Sequence, residues 1–244
     1  MNLLEVSAVS KRFSGLVALD KLSFAVREKE ILGLIGPNGA GKTTLFNVIA
    51  GSLRPSSGKI YFYGKDVTGL PPNRICRLGL ARTYQVPKPF SDLTVIENIE
   101  LAENFGWSSA AGRKKVGTTD EICDMIGLSG KKDVLAGILS VSEKKRLEVG
   151  RAVATSPRLL LLDESAAGLN SQEGEWFSSF GRRLRDEWGV SIIWIEHVMR
   201  VLMRSVDRVV VLDRGVKIGE GAPAEIVKDE RVLQAYLGGR VQAT

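Results

Sequence analysis

The chain has 244 residues, of which 44% are hydrophobic and 25% charged, as in an ordinary globular protein with a sizeable core. Its net charge is +6, but the basic residues form short clusters without interleaved aromatic residues, so we expect no nucleic-acid partner. No apolar run approaches the roughly 20 residues that span a bilayer, and no secretory pattern or cysteine metal spacing is present. We therefore expect a soluble protein of a reducing compartment.

The N-terminal part of the chain has the pattern of an antiparallel sheet. Short alternating apolar runs at residues 4–6 and 22–26 predict two strands. Residues 59–64 predict a third strand, which is bounded by glycine turns.

A glycine-rich segment between the second and third of these strands has the pattern of a P-loop, which binds phosphate. Residues 36–43 read G-x-x-x-x-G-K-T. The apolar run 30–35 before them predicts a buried strand, and the periodic run 43–50 after them predicts a helix that ends before Gly51. The expected nucleotide-binding residues are Gly36, Pro37, Asn38, Gly39, Ala40, Gly41, Lys42, Thr43 and Thr44.

The chemistry of a nucleoside triphosphate explains these residue types. Backbone N–H groups in a tight glycine loop can all point at the phosphates, and the helix that follows adds the positive end of its dipole. Lys42 would place a charge on the β- and γ-phosphates, and Thr43 would offer a hydroxyl to Mg²⁺. The sequence thus predicts Mg²⁺ and a triphosphate as ligands.

Residues 86–157 predict a helical segment. Pro87 and Pro89 interrupt regular structure at its beginning, and residues 91–94 offer capping side chains for a helix from about residue 95. Residues 106–117 are small and polar and predict an exposed loop. Pro157 closes the segment.

Strands alternating with helices return after this segment and predict a parallel α/β sheet. The strand runs are 159–162, 191–195 and 208–212. The first delivers Asp163 and Glu164 to its carboxyl end, where α/β proteins place their sites. Asp163 suits Mg²⁺, and Glu164 suits a general base for an attacking water.

Six motifs in register make the chain similar to the ATP-binding subunits of ABC transporters. The P-loop and residues 159–164 resemble its Walker A and B motifs. Gln85 lies at the position of the Q-loop, and His197 at that of the switch histidine. The signature motif corresponds to Leu139, Ser140, Val141, Ser142 and Glu143, and the D-loop to Gly168, Leu169 and Asn170.

This resemblance implies an α/β fold: a P-loop NTPase (RecA-like) core with an N-terminal antiparallel β subdomain and an inserted α-helical subdomain. Residues 1–85 and 158–219 would form the nucleotide-binding core, 86–157 the helical subdomain, and 220–244 a short helical tail. ATP and Mg²⁺ are the implied cofactors.

The resemblance also implies roles for three residues outside the P-loop. Phe13 would stack on adenine. Gln85 would contact Mg²⁺ and the attacking water, and would connect the site to the helical subdomain. His197 would contact the γ-phosphate.

The signature departs from the family pattern. The family usually has two glycines and a glutamine after Leu-Ser, where this chain has Val141, Ser142 and Glu143. In the family this loop reaches across a dimer to the partner's γ-phosphate. Two side chains restrict the backbone and Glu143 adds a negative charge, so we expect a weaker composite ATP site than a Gly-Gly-Gln signature makes.

The finer resemblance is to ATPases of branched-chain, or hydrophobic, amino acid importers. It rests on residues 11–19, residues 164–170 and the ending Ala235-Tyr236-Leu237-Gly238. It implies a second ABC ATPase subunit in a hetero- or homodimer, transmembrane permease subunits, indirectly an external substrate-binding protein, and a place at the cytoplasmic face of the cell membrane. The alternatives are the ATPase of a lipid or glycan exporter and a non-transport P-loop ATPase.

Overall fold

The computed structural model describes residues 2–106, 115–163, 171–196 and 199–237. An antiparallel sheet in the order β2-β1-β4-β5 covers one side of the molecule. Its strands are β1 (Asn2–Phe13), β2 (Leu16–Arg27), β4 (Ser57–Phe62) and β5 (Lys65–Asp66). The long hairpin of β1 and β2 turns at Ser14 and Gly15, both with positive φ. The antiparallel strands expected at residues 4–6, 22–26 and 59–64 are confirmed.

A second sheet holds six described strands in the order β10-β9-β3-β8-β7-β6. They are β3 (Ile31–Ile35), β6 (Leu80–Arg82), β7 (Leu159–Asp163), β8 (Ser191–Ile195), β9 (Arg208–Asp213) and β10 (Val216–Gly221). All pairs are parallel except that of β9 with β10. The four apolar runs that predicted parallel strands form the four central strands of this sheet. Central strands are buried on both faces, which explains why their sequences are continuously apolar.

Side chains alternate across this sheet and divide the core into two layers. On β7, Leu159 and Leu161 pack toward the antiparallel sheet, while Leu160 and Leu162 pack toward the helices on the other face. Trp194 on β8 is fully buried on the helical side. Since successive strand residues point to opposite faces, a one-residue slip would exchange the two layers.

Helix α1 (Lys42–Ile49) packs between the two sheets, since its buried residues belong to the layer that they share. The segment after β6 holds α3 (Val95–Glu103), α4 (Thr119–Met125) and α5 (Val141–Ala154). The other α-helices of the described residues are α2 (Pro72–Arg77), α6 (Ser171–Trp188), α7 (Met199–Ser205), α8 (Pro223–Ile226) and α9 (Glu230–Leu237). Within the described ranges, no helix combines the length and the apolarity that a bilayer crossing requires.

Capping explains where the helices of the inserted segment begin. Thr94, Thr118 and Ser140 each accept a hydrogen bond from the backbone three residues on, and a glutamate at that position reaches back to the cap. These are capping boxes. The predicted fold, an α/β core with an N-terminal antiparallel sheet and inserted helices, is confirmed.

Candidate functional site

The P-loop joins the carboxyl end of β3 to α1 and is built on three glycines with positive φ. Gly36, Gly39 and Gly41 have φ of 151°, 79° and 99°. A Cβ on Gly36 would lie 2.1 Å from the carbonyl oxygen of Leu212 in the neighbouring strand β9. The loop can therefore approach the sheet this closely only with glycine at its first position.

Lys42 is the first residue of α1 and is buried, with 7% of its surface exposed. Its Nζ donates to the carbonyl oxygens of Gly36 at 2.7 Å and Pro37 at 3.0 Å. These bonds hold the ammonium group across the loop. Thr43, beside it, is exposed at the N-terminus of the same helix, where the helix dipole favours an anion.

The β1–β2 hairpin is packed against the P-loop. A Cβ on Gly41 would lie 2.6 Å from the carbonyl oxygen of Ala18 on β2. Phe13, at the end of β1, is 40% exposed, and the Nζ of Lys11 lies 4.9 Å from the centre of its ring. A half-exposed ring on this hairpin is compatible with stacking on a base.

Asp163 ends β7 at the same edge of the sheet as the P-loop, with β8 between β7 and β3. It is 2% exposed and its Oδ2 accepts from Arg82 Nη2 at 2.8 Å. Its backbone N–H donates to the hydroxyl of Thr83 at 3.1 Å. A buried carboxylate needs such a cationic partner, because desolvation would otherwise disfavour its charge.

The Arg82 guanidinium also reaches α1. Its Nη1 donates to Asn47 Oδ1 at 2.6 Å, and its central carbon lies 5.1 Å from the ring centre of Tyr84. Sequence reasoning missed Arg82 and Asn47. The sequence pattern that could have indicated Arg82 was weak, because it is only a charged residue at the end of a short apolar strand, three positions before Gln85.

Gln85 is exposed in the segment 84–90, which α5 holds from the other side. Arg151 Nη1 donates to the carbonyl oxygen of Lys88 at 2.9 Å. Burial raises the pKa of Glu148, against the smaller effects of the Arg151 charge and of backbone hydrogen bonds from Lys88 and Tyr84. The Gln85 segment thus lies between the nucleotide-binding core and α5.

The signature residues begin α5. Glu143 Oε2 accepts from both the N–H and the hydroxyl of Ser140, each at 3.0 Å, and Glu143 Oε1 accepts from Lys131 Nζ at 2.5 Å. The Lys131 hydrogen bond and then that of the Ser140 backbone lower the pKa of Glu143 to about 2. Leu139 is buried and Val141 is 71% exposed. The helix N-terminus therefore already holds an anion, which is the chain's own carboxylate.

Three of the sequence-based assignments lie outside the described residues. These are the general base Glu164, the switch residue His197, and the D-loop residues Gly168, Leu169 and Asn170. The strands that lead to the first two, β7 and β8, end in register with each other at Asp163 and Ile195.

The tail adds one contact to the P-loop. Burial raises the pKa of Tyr236 on α9 to about 12, against the smaller opposite effect of a hydrogen bond from the Gly36 backbone. Tyr236 thus lies against the first P-loop glycine. The sequence had singled out this residue only as part of the ending 235–238.

The donor set fits a magnesium triphosphate. Thr43, Gln85 and Asp163 offer hydroxyl, amide and carboxylate oxygens, the hard ligands that Mg²⁺ prefers. Lys42 and the glycine loop supply the positive charge and backbone N–H groups that phosphate oxygens accept from.

Comparison with known proteins agrees with this geometry. Residues 19–167 match the family model described as ABC transporter, and residues 216–242 match the model described as branched-chain amino acid ATP-binding cassette transporter.

Two curated relatives and one solved structure extend the similarity to nearly the whole chain. The high-affinity branched-chain amino acid transport ATP-binding protein BraF of Pseudomonas aeruginosa is 35% identical, over 97% of this chain and 98% of the relative. The corresponding protein LivG of Salmonella typhimurium is 36% identical over the same shares. The ADP conformation of an ATP-binding cassette of an ABC transporter superposes with a TM-score of 0.85 at 30% identity, covering 98% of this chain and 99% of that one. The chain therefore belongs to the ABC transporter family, as an ATP-binding and ATP-hydrolysing cassette homologous to the branched-chain amino acid transport ATPases.

Proposed function

We propose that this cassette energises the import of branched-chain or other hydrophobic amino acids, as a peripheral subunit at the cytoplasmic face of the cell membrane. The observation that carries this proposal is the match of residues 216–242 to the C-terminal model of branched-chain amino acid cassettes. The names of the relatives BraF and LivG support it.

The residues of the site divide the work of ATP hydrolysis. Lys42 and the P-loop N–H groups bind the phosphates, and Thr43, Gln85 and Asp163 hold Mg²⁺, which supplies charge neutralisation when bound. Glu164 orients the attacking water and accepts its proton. His197 contacts the γ-phosphate, and Phe13 stacks on the adenine.

A second ABC ATPase subunit brings its signature to this chain's P-loop and so completes the ATP site there. This chain's own signature serves the partner's P-loop, and the Glu143 contacts make that composite site the weaker one. The hydroxyl and N–H of Ser140 already donate to Glu143, so a γ-phosphate meets occupied donors and a negative charge.

Changing Glu143→Gln is expected to raise ATP turnover of the assembled transporter about fivefold, since two like charges about 4 Å apart repel by about 1 kcal/mol even in water. Glutamine keeps the capping box, so the helix start is preserved. The double change Val141→Gly with Ser142→Gly is expected to raise turnover further by freeing the backbone. Steady-state phosphate release from the reconstituted complex measures both.

The control for this prediction is Glu121→Gln. Glu121 closes the equivalent capping box at the start of α4 with Thr118, so the same Glu→Gln change is made at the start of another helix. An unchanged turnover in Glu143→Gln, or an equal rise in Glu121→Gln, would show that the signature charge does not limit the reaction.

The permease subunits are proposed to bind at an apolar cavity of about 320 Å³ between the core and the helical subdomain. Tyr84, Phe90 and Phe105 line it and are 51%, 49% and 63% exposed. Large exposed rings around one concave surface are typical of a protein-binding site. The cavity adjoins the segment that carries Gln85.

A pull-down with Glu164→Gln tests the whole assignment. In ATP and Mg²⁺ this variant is expected to bind ATP without turning it over, and so to co-purify with a second ATPase subunit and integral membrane subunits. The same variant carrying Lys42→Ala serves as the control, since it loses the charge that binds the phosphates. Recovery of the monomer alone in ATP would contradict the transporter proposal.

A further inference from the structure

One buried side chain connects the apolar cavity to the metal-binding carboxylate. Arg82 ends strand β6, its side chain is 6% exposed, and it forms part of the cavity wall. We propose that Arg82 is a positioning residue through which the cavity wall at Tyr84 controls how well Asp163 holds Mg²⁺. This inference rests on the proposed role of Asp163 as a magnesium ligand.

The contacts of Arg82 fix its position in three directions. The two terminal nitrogens donate to Asn47 on α1 and to Asp163 on β7, at 2.6 and 2.8 Å. The central carbon of the guanidinium lies over the rings of Phe46 and Tyr84, at 5.7 and 5.1 Å from their centres. A planar guanidinium can make all these contacts at once, whereas an ammonium group is a point charge that cannot.

The position of Asp163 depends on this arrangement. Its Oδ2 accepts from Arg82, and its main chain is fixed by the Thr83 hydroxyl. Partners of this kind orient metal-binding carboxylates, and removing them usually weakens metal binding. Arg82 Nε finds no hydrogen-bond acceptor among the described residues, so the guanidinium is held through its two terminal nitrogens and by the two neighbouring rings.

Tyr84 is the part of this network that a partner can reach. It is 51% exposed, lines the cavity and precedes Gln85. Replacing Tyr84 by alanine removes one of the two rings that contact the guanidinium, and this changes the orientation of Asp163. The cavity and the metal site are therefore coupled through the contact between Tyr84 and Arg82.

The test is a double-mutant cycle on the full chain. The half-saturating Mg²⁺ concentration is measured for binding of a fluorescent ATP analogue, without partner subunits and without turnover. Arg82→Lys keeps the charge and is expected to raise this concentration about tenfold, and Tyr84→Ala about threefold. In the Arg82→Lys background, Tyr84→Ala is expected to have no further effect, because the two act through one contact.

Phe105→Ala is the matched control, since it removes an exposed ring from the same cavity on another element. It is expected to leave the Mg²⁺ requirement unchanged. Tyr84→Ala changes an exposed residue, so this comparison stands even if Arg82→Lys fails to fold. Additive effects in the double mutant, or equal effects of Tyr84→Ala and Phe105→Ala, would overturn the proposal. Since no permease is present, failure here is distinct from failure of the transport assignment, which the pull-down tests.

Discussion

Replacing Asp163 by asparagine is expected to lower the free energy of unfolding by about 3 kcal/mol, because it leaves a buried arginine without its anionic partner. The side chains of Arg82 and Asp163 are 6% and 2% exposed, so water cannot solvate the Arg82 charge that the substitution leaves unpaired. The same change removes a proposed magnesium ligand, and ATP turnover is expected to fall about a hundredfold. Urea denaturation and steady-state turnover measure the two effects.

The control for Asp163→Asn is Asp186→Asn. Asp186 also pairs with an arginine, Arg185, but its side chain is 60% exposed. Water screens an exposed pair, so the unfolding midpoint is expected to change little. A loss of stability at Asp163 no greater than at Asp186 would contradict the role of the buried pair.

Replacing Gly36 by alanine is expected to lower stability by about 3 kcal/mol and ATP affinity about a hundredfold, through overpacking and a displaced loop. The new Cβ would lie 2.1 Å from the backbone oxygen of Leu212 in β9. Strand β9 cannot move away, because it is paired with β10 on one side and β3 on the other. Lys42 donates to Gly36 itself, so the lysine is displaced with the loop. Isothermal titration with ATP and thermal unfolding measure the result.

Gly39→Ala is the matched control within the same loop. Gly39 also has a positive φ, 79°, but nothing lies within 4 Å of the position of its Cβ. Only backbone strain remains, which costs about 1 kcal/mol. If Gly39→Ala proved as damaging as Gly36→Ala, steric contact with β9 would not be the reason for the first glycine.

Local patterns predicted most of the sheet because each central strand is a short apolar run bounded by polar residues. Residues 159–163 and 191–195 are examples, and both are buried along their whole length. The short strand β6 was not predicted, since three residues carry too little pattern. Its place is decided by pairing with β7, far away in the chain.

The P-loop was predictable because its chemistry depends on consecutive residues. The Arg82–Asp163 pair was not, because the two residues are 81 positions apart and only the folded sheet brings them together. The altered signature was visible in the sequence. The ion pair of Glu143 with Lys131 was not, because the two residues are 12 positions apart and only the folded structure brings them together.

Helix α5 physically connects the signature to the segment that contains Gln85. Its N-terminus carries Ser140, and Glu148 and Arg151 lie eight and eleven residues further on, about 12 and about 17 Å along the axis, where they contact the segment that contains Gln85. Because α5 is continuous, we expect a displacement of the signature in the proposed dimer to move the segment that contains Gln85 as well. In the proposed dimer, contact of Ser140 with the partner's phosphate would therefore change the position of Gln85 at the chain's own site through movement of α5 alone.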